Sequence, residues 1–271
     1  MRAIRLWFLA QVVLSALCLA TAAFPQPLGA EQRVKVAASF TVIADLVRAV
    51  GGDRVAVASL APVGAEVHEW ELRTHNFSDL ARSEAVFYNG YGLEQWLRQV
   101  GAAVSDEVEL VALAENCGHP TKPISIGELE GEPDPHMWMD PRAVKGYIEV
   151  IYQILAELDP AGEGHYRARA DDYRAKLEQL HAAIQTMFAA VPEDQRILIT
   201  SEAALPYFAQ AYDFRHAGIW GNNAEEEGAP RHIMRIVDLV NEWQPAAIFW
   251  ESTITDRYVT SVATDTGTKV A

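Results

Sequence analysis

Short β-forming runs alternate with helix-patterned segments along almost the whole chain, and that alternation limits the possible folds more than any other feature. RVKVAAS (33–39) reads as a strand, and FTVIADLVRAVGG (40–52) as a helix closed by glycines. A second strand over 54–61, a short helix over 77–84, a strand over 85–90, a helix over 93–101 and a strand over 108–113 follow. The pattern resumes later with strands at 196–201, 216–220 and 246–252 and helices at 202–212, 231–243 and 254–267. A βαβα order of this kind argues for mostly parallel sheets with helices on both faces.

The two runs of alternation are separated by a Pro-containing loop over 114–135 and two helices, about 141–158 and 163–191. In the longer helix Tyr166, Ala170, Tyr173, Leu177, Leu180, Ile184 and Met187 recur three and four residues apart, which predicts one apolar stripe. At the standard helical rise it spans roughly 40 Å, enough to run along a domain. The expectation is an α/β protein of two similar lobes joined by a long, stiff backbone helix. The boundaries read as 31–160 for the N-terminal lobe, 161–192 for the linking helix and 193–271 for the C-terminal lobe. The sequence ends at KVA, where a further strand is expected to begin, so the second lobe reads as truncated.

The first thirty residues differ from the rest. Arg2 and Arg5 precede an uncharged apolar run over 6–24, followed by small residues at Ala20-Thr21-Ala22 and Leu28-Gly29-Ala30. This is a secretory signal peptide pattern, with an uncleaved membrane anchor as the alternative. The cleavage point among Ala22, Ala23 and Ala30 is open. Leu17 before Cys18 is too large for a lipoprotein cleavage site. Beyond the leader only Cys117 remains, so no internal disulfide forms, and Cys117 reads as incidental. A net charge of −15, more negative still without the two leader arginines, argues against nucleic acid and anionic lipid as partners.

Ligands of open α/β sheets collect beyond the C-terminal ends of the strands. His68 follows the second strand, Glu202 follows RILITS, His136 sits in PDPHMWMDP (133–141), and Asp265 ends the last helix. Proline fixes its own φ and extends the residue before it, so Asp134-Pro135 and Asp140-Pro141 hold His136 in a short rigid loop. Asp140 is suited to a helix N-cap and Pro141 to the first helical position. None of the four polar residues is within helical reach of another, so a shared site has to be assembled by the fold.

VHEWE around His68, NGYGLEQWL (89–97), DPHMWMDP (134–141), SEAALPYFAQAY (201–212) and FWESTITDRYVTSVATDTG (249–267) occur in this order. Together they resemble the metal-binding receptors of bacterial ABC importers, solute-binding protein family 9, over most of residues 33–271. The resemblance implies two α/β lobes joined by one long helix, with a metal ion held between them. By motif position it implies His68, His136, Glu202 and Asp265 as metal ligands, two from each lobe. It also implies a periplasmic monomer that delivers its ion to an inner-membrane permease and performs no chemistry. Zinc-specific members usually carry a histidine at the third ligand position and often a His-rich acidic loop before the second. Here the third position is Glu202, and the loop over 114–135 holds only His119. Two imidazoles and two carboxylates form a harder donor set, which favours manganese(II) or iron(II) as cargo while leaving zinc open.

Other readings are weaker. HEWE begins like an H-E-x-x-H zinc protease helix, but Leu72 stands at the second histidine position. A secreted metallohydrolase with Glu69 or Glu202 as base needs an open coordination position. An adhesion protein would show adhesive repeats. Glu225-Glu226-Glu227 reads as a solvated loop. His75, His165, His181, His216 and His232 read as surface or capping residues, and Trp70, Trp96, Trp138 and Trp250 as lobe-interface core.

Overall fold

The computed structural model describes residues 33–221 and 229–271. The signal peptide expected over 1–30 and the acidic run Glu225–Glu227 lie outside the described residues. Two parallel sheets carry the fold. In the first, β1 (Val34–Ala38), β2 (Val55–Ser59), β3 (Ala85–Tyr88) and β4 (Glu109–Ala112) lie in the order β2-β1-β3-β4. In the second, β5 (Ile197–Glu202), β6 (Arg215–Trp220) and β7 (Ile248–Phe249) lie in the order β6-β5-β7.

The first sheet is covered on both faces, and the two-residue period of a strand divides its side chains between them. Val36 and Ala38 join one core with Ala85 and Phe87, against α1 (Thr41–Gly51), α5 (Pro141–Leu158) and the buried face of α6 (Glu163–Ala189). Ala37 and Val86 point the other way, into a smaller core with Leu80 and Val100. These come from α2 (Thr74–Leu80) and α3 (Leu97–Ala103), and between β4 and α5 lie the single turn α4 (Leu113–Asn116) and a 3-10 turn over Met137–Met139. The second sheet builds its own core from Ile199, Ile219 and Ile248 against Ile236, Val240, Val259 and Val262. Those four lie on α8 (Pro230–Trp243) and α9 (Arg257–Thr266), and α7 (Pro206–Ala211) connects β5 to β6.

The two-lobe α/β architecture with parallel sheets and a long joining helix is the one read from the sequence, but several elements start or end elsewhere. α2 begins three residues early because the Arg73 N–H donates to the Asn76 side chain at 2.8 Å, which fixes the first turn. α7 begins four residues late. Glu202 still pairs with Trp220 as part of β5, and Pro206 opens the helix. Within the stretch over 114–135, residues 122–134 form a hairpin closed by a bridge between Pro123 and Pro133. α6 departs most from its apolar stripe. Tyr166, Ala170 and Leu177 are buried, but Leu180 is 49 % exposed and Met187 is more exposed still. Only the first half of the helix lies against the first lobe's core. In the second half Phe188, outside the stripe, makes the contacts, edge-on to Phe208 and Phe214. The closing KVA runs beside β7, with Ile248 and Val270 paired in parallel.

Candidate metal centre

Three of the sequence-selected residues converge. His68, His136 and Glu202 each offer a ligand atom, and these atoms lie within 4.8 Å of one another. All three stand beyond or at the C-terminal ends of parallel strands. Glu202 ends β5. His68 sits in the connection after β2, where Glu66 accepts the His68 N–H at 3.0 Å and the Glu69 N–H at 2.8 Å. The Trp96 indole donates to the Val67 carbonyl at 2.8 Å, which pins the same loop.

His136 is held more tightly. The Asp134 carboxylate accepts the His136 backbone N–H at 2.9 Å and lies 3.1 Å from Nδ1. An Nδ1–H donated to Asp134 leaves Nε2 with its lone pair facing the site, the arrangement a metal-ligating histidine needs. The Pro135 carbonyl accepts from the Asn89 side chain at 2.8 Å, and the Tyr147 hydroxyl donates to Asn89 Oδ1 at 2.7 Å. Asp140 caps α5 by accepting the Arg142 N–H at 2.8 Å, so the second Asp-Pro step anchors the loop to a buried helix.

Glu202 Oε1 lies 3.3 Å from His68 Nε2 and 3.4 Å from His136 Nε2, and it has no hydrogen-bond partner although it is buried. Burial alone would lower the His136 pKa, but the Glu202 charge and the Asp134 hydrogen bond outweigh it and push it up to about 10. Burial alone would raise Glu202, yet His136 and His68 pull it down to about 2. A buried carboxylate oxygen faced by two imidazole nitrogens at more than ideal hydrogen-bond length suits a cation placed among them.

Asp265 is not brought to this site. α9 buries Val259, Val262 and Ala263 against the second core and leaves Asp265 exposed in its last turn. The carboxylate found beside Glu202 is instead Glu251, just past the end of β7. Glu251 Oε1 accepts the Glu202 N–H at 3.3 Å, and the Glu251 N–H donates to the Ser201 hydroxyl at 3.3 Å. Burial and the Glu202 charge push the Glu251 pKa up to about 7. The sequence places Glu251 inside a strand over 246–252, so the strand-end criterion that selects Glu202 passes over it; in the structure β7 ends at Phe249. Asp134, read only as half of a rigid Asp-Pro step, also holds His136 through its carboxylate.

A cavity of about 330 Å³ opens on these donors, lined by groups of both lobes, among them Phe40, Trp138, Leu205 and Glu251. Trp138 packs on both Phe40 and His136, with ring centres 5.3 and 5.2 Å apart. Trp96 is buried, whereas Trp250 is 39 % exposed at the cavity and is not lobe-interface core. Of the histidines read as surface or capping residues, His75 is exposed, His232 is buried, and His165, His181 and His216 are half-buried, His216 meeting the Thr200 hydroxyl at 2.9 Å.

Two α/β lobes with imidazole and carboxylate donors converging where they meet define a class by their geometry, a two-lobe protein with a candidate metal site between its sheets. The chain belongs to the family described as zinc-uptake complex component A, periplasmic (ZnuA), whose profile matches residues 36–271. It is 35% identical over 238 residues to the manganese-binding lipoprotein MntA of Halalkalibacterium halodurans, covering 88% of this chain and 77% of that one. It is 32% identical over 241 residues to the iron-binding protein YfeA of Yersinia pestis, covering 89% and 76%. Among solved structures it resembles a manganese-bound mutant of a periplasmic metal-binding protein from Candidatus Liberibacter asiaticus. That match has a TM-score of 0.79 and 25% identity and covers 87% and 86% of the two chains. A laminin-binding adhesin of Streptococcus agalactiae has the same fold, with a TM-score of 0.78, 25% identity and 88% coverage of each chain. The family's members are substrate-binding transport proteins. No helix of the described residues is long and apolar enough to cross a membrane.

Proposed function

We propose that the chain captures one manganese or iron ion through His68, His136 and Glu202, in the periplasm, and hands it to the membrane permease of an ABC importer without chemical change. The observation that carries this reading is the buried, unpartnered Glu202 oxygen facing two imidazole nitrogens. Three side chains leave coordination positions open toward the cavity. Glu251 adds a second carboxylate at its wall, so the electrostatics around the ion are richer in oxygen and negative charge than those of a three-histidine site. Manganese(II) and iron(II) accept oxygen donors and more than four ligands, which favours them as cargo, whereas imidazole donors favour zinc. The chain's own residues do three things. Asp134 presents His136 Nε2, the His68 loop presents the second imidazole, and β5 delivers a carboxylate that both neutralises and binds the cation.

The cargo assignment is tested by replacing Glu202 with the donor that would favour zinc. In anaerobic competition titrations, Glu202→His is expected to shift the zinc-to-manganese affinity ratio toward zinc by about tenfold or more. An unchanged ratio would remove Glu202 as the residue that sets metal preference.

A further inference from the structure

Tyr207 lies on α7 of the second lobe, five residues after Glu202, yet its ring is 1 % exposed and joins the core of the first lobe. Its hydroxyl accepts the Lys122 N–H at 3.1 Å and donates to the Asp134 carbonyl at 2.7 Å. Lys122 and Asp134 stand opposite each other at the base of the 122–134 hairpin, where the Asp134 N–H donates to the Lys122 carbonyl at 2.7 Å. One hydroxyl from the second lobe therefore closes the base of a hairpin in the first. Asp134 is also the residue whose carboxylate takes the His136 backbone N–H and faces Nδ1. The same seam is tight at Gly221, where an added methyl group would collide with the Ile126 carbonyl.

We propose that Tyr207 is a cross-lobe latch, a positioning residue that fixes the spacing between Glu202 and His136 and thereby slows release of the bound metal. The proposal rests on His68, His136 and Glu202 being the metal site. Ligand atoms have to be held to within about half an ångström to act together. Release requires Glu202 to separate from the imidazoles, and the latch opposes that separation at a point two residues from His136 and five from Glu202. Burial pushes the Tyr207 pKa up to about 12, so the phenol stays a hydrogen-bond donor throughout the neutral range. Removing the hydroxyl leaves the Asp134 carbonyl and the Lys122 N–H without this partner while the ring still fills its place in the core.

The test is the rate at which manganese leaves the full chain into an excess of chelator. It compares the wild-type protein, Tyr207→Phe and the control Tyr166→Phe. Tyr166 is an equally buried tyrosine whose hydroxyl donates to Asp159 at 2.8 Å. That contact lies beside Arg54, at the opposite end of the first sheet from the donors. The latch predicts release about tenfold faster from Tyr207→Phe, equivalent to about 1.4 kcal/mol. Tyr166→Phe should release at the wild-type rate even where it lowers thermal stability. Wild-type release from Tyr207→Phe, or equal acceleration in both variants, would overturn the latch. Failure of the site itself reads differently: the wild-type chain would bind no manganese, or His136→Ala would retain it, and the latch would fall with it.

Discussion

At neutral pH the metal-free site holds an imidazolium at His136 against a carboxylate at Glu202, given pKa values near 10 and 2. A metal ion needs the neutral Nε2, so capture expels a proton and affinity depends on pH. Between about pH 6 and pH 9 the affinity is expected to rise by up to about tenfold per unit, which a competition titration across pH would read. The metal-free fold responds in the opposite direction. A histidine pKa raised above 6.5 contributes stability that is complete below 6.5 and is lost as pH rises toward 10. The depressed Glu202 pKa contributes stability that is complete above 4.5 and lost as pH falls toward 2. Melts of the metal-free protein should therefore show this pair's contribution between about pH 4.5 and 6.5, weakening on either side. At this scale three ligand candidates were legible because strand ends and proline brackets mark the chain locally. Asp265 lies apart from these three because its neighbourhood is set by how α9 lies on the second sheet, which its own motif does not encode. Glu251 and Tyr207 act across elements far apart in sequence, so no local pattern exposes their roles.

Among the elements, α6 shows how far periodicity reaches. A stripe at helical spacing marks where a helix can bury a face, but the extent of burial depends on what lies beside it. Leu177 is 8 % exposed against the first core, whereas Leu180 is half in solvent. Leu177→Ala is therefore expected to cost about 2–4 kcal/mol in denaturant unfolding, and Leu180→Ala less than about 0.5 kcal/mol. Equal costs would mean that the whole stripe is buried in solution. Strand and helix identities were readable from composition and period, while their ends were set by side-chain caps and pairing. Asn76 moves the start of α2, and the pairing of Glu202 with Trp220 delays α7 until Pro206.

Across the whole molecule, each lobe has its own main hydrophobic core, and Tyr207 of the second lobe packs into that of the first beside the donors. The two-lobe arrangement was legible from two runs of β/α alternation separated by a long helix. The geometry of the seam was not, since it depends on the Tyr207 side chain and the Gly221 backbone meeting the 122–134 hairpin. In the proposed site the ion draws on donors of both lobes, so it is expected to stabilise the folded state as a unit. Metal at a hundred times its dissociation constant is expected to add about 2.7 kcal/mol to unfolding, and the gain should vanish in Glu202→Ala. A gain that persists in that variant would place the binding elsewhere. The central claim is that His68, His136 and Glu202 together hold one ion, and metal content tests it most directly. The wild-type chain, His136→Ala and Glu202→Ala would be equilibrated without oxygen in a buffered mixture of manganese, iron and zinc and then subjected to elemental analysis. One manganese or iron is expected per wild-type chain and almost none in either variant; equal metal in all three proteins would mean that the ion is held elsewhere.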